Sequence, residues 1–227
     1  MADVKGVLLP AYVVADESGS MAVCERELTD GLVSLHESLR AAPMLADKVR
    51  LAIVGFADDV EERLALTDVR NEVRLPQFVI RGLTSYGSAF HDLLRRIPDD
   101  VARLKREGYL VHRPVVFFLS DGAPTDGEAW RTPHRQLTDK GVTKAAPNII
   151  AVGVGHAEAR TMVEVATRPE FAFVSVPGAD VGRSITVFFE MLTESLIQSG
   201  NSLVANRPEL IIQKPDPNLM RVAIDMV

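Results

Sequence analysis

The chain has 227 residues, of which 47% are apolar and 25% charged, with a formal charge of −6. A globule of this length buries roughly 70–75% of the surface its unfolded chain exposes, so one large α/β domain or two small ones can stand without staples. The single cysteine, Cys24, excludes an intrachain disulfide and fits a reducing, cytoplasmic setting, and the negative balance argues against a nucleic-acid partner.

The opening MADVKGVLLPAYVVADESGSM carries a short apolar run interrupted by Pro10 and stopped by Asp16 and Glu17. It lacks the basic start and longer apolar core of a signal peptide, and the ~20 apolar residues of a membrane helix. No membrane partner is expected. Residues 8–15 predict the first strand. Cys24, Leu28, Leu32, Leu35 and Leu39 then recur at helical spacing, and residues 49–57 predict a second strand. After the turn-like Asp58-Asp59, residues 60–66 predict a hairpin edge strand. Phe90, Leu93, Leu94, Ile97, Val101 and Leu104 form a second helical stripe, which Pro98 is expected to kink or restart. Strands at 114–120 and 148–155 follow, with shorter helices at 128–138 and 157–166. A last short strand at 171–176 leads into the stripe Ile185, Phe188, Phe189, Leu192 and Leu196.

The strand runs do not alternate strictly, which is the mark of strands covered on both faces. Strands alternating with helices predict an α/β fold: a doubly wound, mostly parallel sheet with one antiparallel edge strand and helices on both faces. The domain is expected to span residues 1–200. Beyond it, residues 201–227 hold two short apolar runs, 210–212 and 220–224, around the turn-rich KPDPN. These predict a hairpin or extended arm, which either packs on its own domain or adds to a sheet edge of this or another chain.

The chemistry concentrates in Asp16-Glu17-Ser18-Gly19-Ser20, between the first strand and the first helix. An Asp and two alternate Ser hydroxyls supply hard oxygen ligands, suited to Mg²⁺ or Mn²⁺ rather than to soft metals. Alone, the motif reads equally well as a strand-to-helix turn with Ser20 as N-cap. Two further segments favour the metal. Gly82-Leu83-Thr84-Ser85-Tyr86-Gly87 precedes the second helix and offers Thr84. Asp121 follows the buried run VVFFLS and opens the loop DGAPTD. Ligands of open α/β sheets gather at the carboxyl ends of the strands, where these loops converge.

On these residues the chain resembles the von Willebrand factor A family, whose equivalent constellation is the metal-ion-dependent adhesion site. Asp16, Ser18 and Ser20, then Thr84, then Asp121 match its five motif positions in order, and the resemblance runs over residues 5–200. Within the family, the segments GLTSYGSAF, FLSDGAPTDGEAW, IIAVGVG and FAFVSV are similar to bacterial proteins of tellurite-resistance and related stress loci. The resemblance implies a binding module rather than an enzyme. One divalent cation, Mg²⁺ with Mn²⁺ or Ca²⁺ as alternatives, is held by serine hydroxyls directly and by the Asp and Thr positions directly or through water. An open coordination position accepts an Asp or Glu from a protein partner, which for the stress-locus relatives is a kinase, phosphatase or tellurium-resistance-type protein.

Other candidates have plainer readings. Glu17 is expected to point away from the ion as a solvated acid, or to select partners at the rim. Asp126 is either an acceptor behind the ligands that orients them or water, or an N-cap or loop residue for the helix that follows it. Asp58 and Asp59 read as turn residues, and Cys24 as a buried inert thiol. His36, His91, His112, His134 and His156 show no ligand spacing. Arg95, Arg96, Arg103, Lys105 and Arg106 interleave with acids and read as a solvated helix face. The competing reading is a Mg²⁺-dependent phosphatase built on Asp16. It lacks a second Asp two residues on, where Ser18 stands, and a basic residue placed for a transferring phosphate.

Overall fold

The structure, a computed structural model, describes residues 4–71, 75–205 and 207–226; positions 1–3 of the expected domain and 206 and 227 of the expected tail lie outside the described residues. The described residues form one sheet of β1 (Val7–Asp16), β2 (Val49–Phe56), β3 (Val60–Thr67), β4 (Leu110–Val111), β5 (Val115–Ser120), β6 (Asn148–Gly153), β7 (Ala172–Ser175) and β8 (Met220–Val222). The helices are α1 (Glu25–Ala41), α2 (Pro43–Ala46), α3 (Tyr86–Arg106), α4 (Arg131–Thr138), α5 (Ala159–Val165) and α6 (Val181–Val204).

The strand order is β3-β2-β1-β5-β6-β7-β8, and the short β4 pairs with the start of β1. The five inner strands run parallel. β3 returns antiparallel on β2, which is the expected edge hairpin. β8 closes the opposite edge, antiparallel to β7.

The central strand shows why its sequence does not alternate. Leu9, Ala11, Val13 and Ala15 enter one core with α1 and α6, while Leu8, Tyr12 and Val14 enter a second core with α3, α4 and α5. Both faces are dry, so positions 8–15 carry no charged side chain. The chain is therefore a three-layer α/β domain, and the polar residues at the carboxyl ends of β1 and β5 stand out because nothing polar precedes them.

Three expectations need correction in detail. Of the kink or restart expected at Pro98, the restart is absent: α3 is one continuous helix, with Ile97, Val101 and Leu104 buried on either side of the missing N–H. The helix expected over 128–138 begins only at Arg131, after a run of turns. Cys24 is buried as expected, but it ends a short 3₁₀ turn (Gly19–Cys24) instead of lying within α1.

The tail is placed by hydrogen bonds and burial. α6 passes position 200 and ends at Val204. Ser195, Ser199 and Ser202 then bind the main chain of the returning segment. The Gln213 N–H donates to Ser195 Oγ at 2.9 Å, the Ile211 N–H to Ser199 Oγ at 2.9 Å and the Glu209 N–H to Ser202 Oγ at 3.1 Å. Leu210 and Ile212 pack on the α1/α6 core, and Met220 is buried in it. The two apolar runs do not pair with each other as a hairpin. The first lies along α6 and the second supplies β8. Met220→Ala is therefore expected to cost about 2–5 kcal/mol, as for other buried side chains. At roughly 2–4 °C per kcal/mol for a chain of this size, the melting temperature should fall visibly. Truncation after Gly200 should give an aggregating fragment, and a soluble fragment with unchanged melting would show that the tail is no part of the core.

Candidate metal site

β1 and β5 run side by side, with Ala15 opposite Leu119, so their next residues Asp16 and Ser120 meet at the carboxyl edge. Ser120 Oγ donates to Asp16 Oδ2 at 2.6 Å, and the Ser18 N–H donates to Asp16 Oδ1 at 2.8 Å, closing a tight turn. That turn aims the next two hydroxyls at one place. Ser18 Oγ and Ser20 Oγ lie 3.1 Å apart, and Ser20 Oγ donates to Asp121 Oδ1 at 2.8 Å. Asp16 is wholly buried, Ser18 and Asp121 are nearly so, and Ser20 is exposed.

The loop carrying Thr84 is stitched to both neighbours through its main chain. Gly19 N–H donates to the Gly82 carbonyl at 3.2 Å, and Thr125 N–H donates to the Thr84 carbonyl at 2.8 Å. Gly82 adopts φ +55°, and a Cβ there would come within 2.2 Å of Asp58 Oδ2. Only glycine meets both conditions. The structure thus links Asp16, Ser18, Ser20 and Asp121 through hydrogen bonds. Thr84 arrives in the same loop cluster, although no hydrogen bond joins its side chain to the other four among the described residues.

Burial pushes the Asp16 carboxyl up to about 6, against the hydrogen bonds from Ser120 and Ser18 that favour its charge. Asp121 is raised in the same way by burial, with Ser20 opposing. Among the described residues, no three His, Cys, Asp or Glu side chains gather as a metal cluster. The donor set here is instead two carboxylates with serine hydroxyls, which are hard oxygens. Both Asp16 oxygens are met by neutral donors. Such an environment suits a cation that supplies the missing positive charge.

Glu17 departs most from expectation. It is not a solvated acid at the rim: its side chain is fully buried. The Arg63 Nε and Nη2 groups donate to its two oxygens at 2.7 and 2.8 Å, and Arg81 Nε donates at 3.1 Å. Asp126 does not cap the helix that follows it. It reaches back to the start of α3, where the Gly87 N–H donates to Oδ2 at 2.6 Å and Ser85 Oγ at 3.2 Å. Its negative charge there complements the helix N-terminus.

Two further readings hold. Asp58 and Asp59 form the bend between β2 and β3. On α3, Arg96 pairs with Asp92 at 2.6 Å and Arg103 with Asp100 at 3.0 Å, while Arg95, Lys105 and Arg106 are exposed. Ser120 was not foreseen as part of the site. Its signal was present: it is the one polar residue of VVFFLS, in a strand buried throughout.

The model of the von Willebrand factor type A domain matches residues 12–181. No curated protein matches the sequence significantly. In fold the chain is similar to the pilus adhesin SpaC from Lactobacillus rhamnosus GG in its open conformation, with TM-score 0.66 and 13% identity over 86% of this chain and 30% of that one. It is similar to a von Willebrand factor type A protein from Catenulispora acidiphila, with TM-score 0.55 and 14% identity over 84% and 43%. Proximal thread matrix protein 1 from the mussel byssus, in a form with a zinc-occupied MIDAS motif, gives TM-score 0.50 and 17% identity over 86% and 45%. The chain spans less than half the length of each of these proteins. With the family model matched across most of the chain, on a doubly wound sheet whose oxygen-rich loops meet at the carboxyl edge, this protein belongs to the von Willebrand factor type A domain family.

Proposed function

We propose that the chain is a metal-dependent protein-binding module in which Asp16, Ser18, Ser20, Thr84 and Asp121 hold one divalent cation. The observation that carries this reading is Asp16 itself: a carboxylate without solvent exposure whose two oxygens receive only a serine hydroxyl and a main-chain N–H. Ser120 fixes its orientation from the neighbouring strand, much as outer hydrogen bonds orient metal ligands elsewhere. The zinc-occupied motif of the mussel protein supports a divalent ion, and the all-oxygen donors favour Mg²⁺ over softer metals.

When bound, the ion supplies a Lewis-acidic position that a partner's Asp or Glu can complete. Ser18 and Ser20 are neutral, so they leave more of its charge for that incoming carboxylate than further acids would. Family members generally serve in adhesion and interaction, and we read this chain likewise as a binder. The basic side chains nearest to the first loop, Arg63 and Arg81, are committed to Glu17. They are not disposed to stabilise a transferring phosphate. Among the described residues no helix is long and apolar enough to cross a membrane. On the likeness of GLTSYGSAF and FLSDGAPTDGEAW to stress-locus proteins, the partner we propose is a bacterial cytoplasmic protein of the tellurite-resistance type, or a kinase or phosphatase acting with it.

Mg²⁺ at a hundredfold excess over its Kd should stabilise the wild type by about 2.7 kcal/mol. Melting curves with Mg²⁺ and with EDTA should differ accordingly for the wild type and coincide for Asp121→Ala. Pull-down from native lysate should return the partner with Mg²⁺, lose it with EDTA, and fail for Asp16→Ala and Asp121→Ala. Equal capture by either variant would reduce the ion to a structural role at most. A generic phosphate ester should not be turned over with Mg²⁺, and magnesium-dependent turnover lost in Asp16→Ala would overturn the reading.

A further inference from the structure

We infer that Glu17, although it is no ligand, is a positioning residue for the metal site. It locks the segment leading to Thr84 onto the first loop through Arg81 and the Val79 N–H, with Arg63 holding it to β3, so affinity for the cation depends on an ion pair outside the ligand set. The inference rests on the metal reading above for its effect on affinity, but not for the lock itself.

Glu17 stands between Asp16 and Ser18, and both its main chain and its side chain turn toward the second loop. Its N–H donates to the Phe56 carbonyl at 2.8 Å, and its carbonyl accepts from the Arg81 N–H at 2.6 Å. Oε1 accepts from the Val79 N–H at 3.0 Å as well as from Arg63 Nε, while Oε2 accepts from Arg63 Nη2 and Arg81 Nε. One residue therefore ties β3, through Arg63, and two positions of the segment before Gly82 to the end of β1.

The space for this carboxylate is built into β2. A Cβ on Gly55 would lie 2.1 Å from Glu17 Cδ, so the glycine vacates the volume that Glu17 occupies. Arg81 is held from its other side as well, pairing with Asp59 and donating from Nη2 to the Gly55 carbonyl at 3.2 Å. Residues 75–81 form neither helix nor strand. No ladder holds them: Phe78 is buried in the α1/α6 core, and these bonds fix the stretch beside it that leads to Gly82. Gly82, which accepts from Gly19, follows Arg81 directly, and Thr84 comes two residues later. The lock thus sits immediately upstream of a ligand in one loop and between two ligands in the other.

A structural ion pair and a positioning device can be told apart. The variants are Glu17→Gln and Arg81→Gln. The control is Val101→Ala, which loosens the same domain at a buried position about 22 Å along α3 from its N-terminal residue Tyr86. Hydrogen exchange of the metal-free protein reads the lock, and Mn²⁺ titration by electron paramagnetic resonance reads affinity. Both Gln variants should exchange faster at the Val79 and Arg81 amides. Both should bind Mn²⁺ roughly 10–100-fold more weakly, the usual effect of removing a group behind the ligands. Val101→Ala should melt lower with affinity unchanged.

A folded Glu17→Gln with wild-type affinity overturns the inference, as does equal weakening by Val101→Ala. If Glu17→Gln does not fold, Arg81→Gln decides on the same two readouts. A wild type that binds neither Mn²⁺ nor Mg²⁺ sinks the metal reading instead. In that case unchanged exchange at Val79 and Arg81 in the Gln variants sinks the lock as well.

Discussion

Two adjacent carboxylates, Asp16 and Glu17, end the central strand with no exposure to water, and the surrounding chain is arranged to meet that constraint. A buried charge is costly unless it is paired and hydrogen-bonded. The two neighbours satisfy the requirement in opposite ways. Glu17 receives two guanidinium groups and a main-chain N–H, and so is answered wholly from within the protein. Asp16 receives only neutral donors, and burial raises its pKa. The division explains why one acid belongs to the scaffold and the other faces the site.

That arrangement determines how the loops are held. Each of the three is bonded to the other two. Gly19 and Glu17 join the first to the second, Thr125 joins the third to Thr84, and Ser120 and Asp121 join the third to Asp16 and Ser20. The third loop is in turn braced by the next strand connection, whose Val154 and His156 N–H groups donate to the Ser120 and Asp121 carbonyls at 3.0 Å. The candidate ligand oxygens on three separated segments thus keep their mutual positions through main-chain bonds to the second loop and through the side chains of Ser120, Asp121 and Glu17. A donor set organised this way needs little reordering when a cation arrives, and preorganisation of this kind favours binding.

The sheet was legible in the sequence because both faces of its inner strands are dry, so the strands appear as unbroken apolar runs. The metal motif was legible because Asp16, Ser18 and Ser20 carry their spacing within five residues, and Thr84 and Asp121 adjoin a helix start and a strand end. Glu17 was not. Its partners lie 46 and 64 positions away, and nothing local marks a residue between two ligands as buried. The notch at Gly55 that admits it reads in sequence as an ordinary strand glycine. Which of the tail's alternatives holds was not legible for a related reason. Ser195, Ser199 and Ser202 have helical spacing, but a helical serine usually bonds its own helix, as Ser195 does with the Met191 carbonyl at 2.6 Å. Only the fold shows that the same hydroxyls also accept from a returning segment.

An apolar plug over Gly55 could fill the volume of Glu17 and give comparable stability, since buried ion pairs are often replaceable by hydrophobic groups without loss. Stability alone therefore does not account for this cluster. What an apolar side chain cannot do is accept hydrogen bonds from Val79, Arg63 and Arg81 at once and so fix the direction in which the following residues enter the site. Dispersion contacts tolerate small slides, whereas a carboxylate shared by two planar guanidiniums tolerates few. Asp59 and Glu61 at the β2–β3 hairpin answer the same two arginines, so the hairpin and the Thr84 loop share one set of charges. The cluster is best understood as a device of geometry: it spends a buried charge to fix the position of a loop that has no ladder of its own.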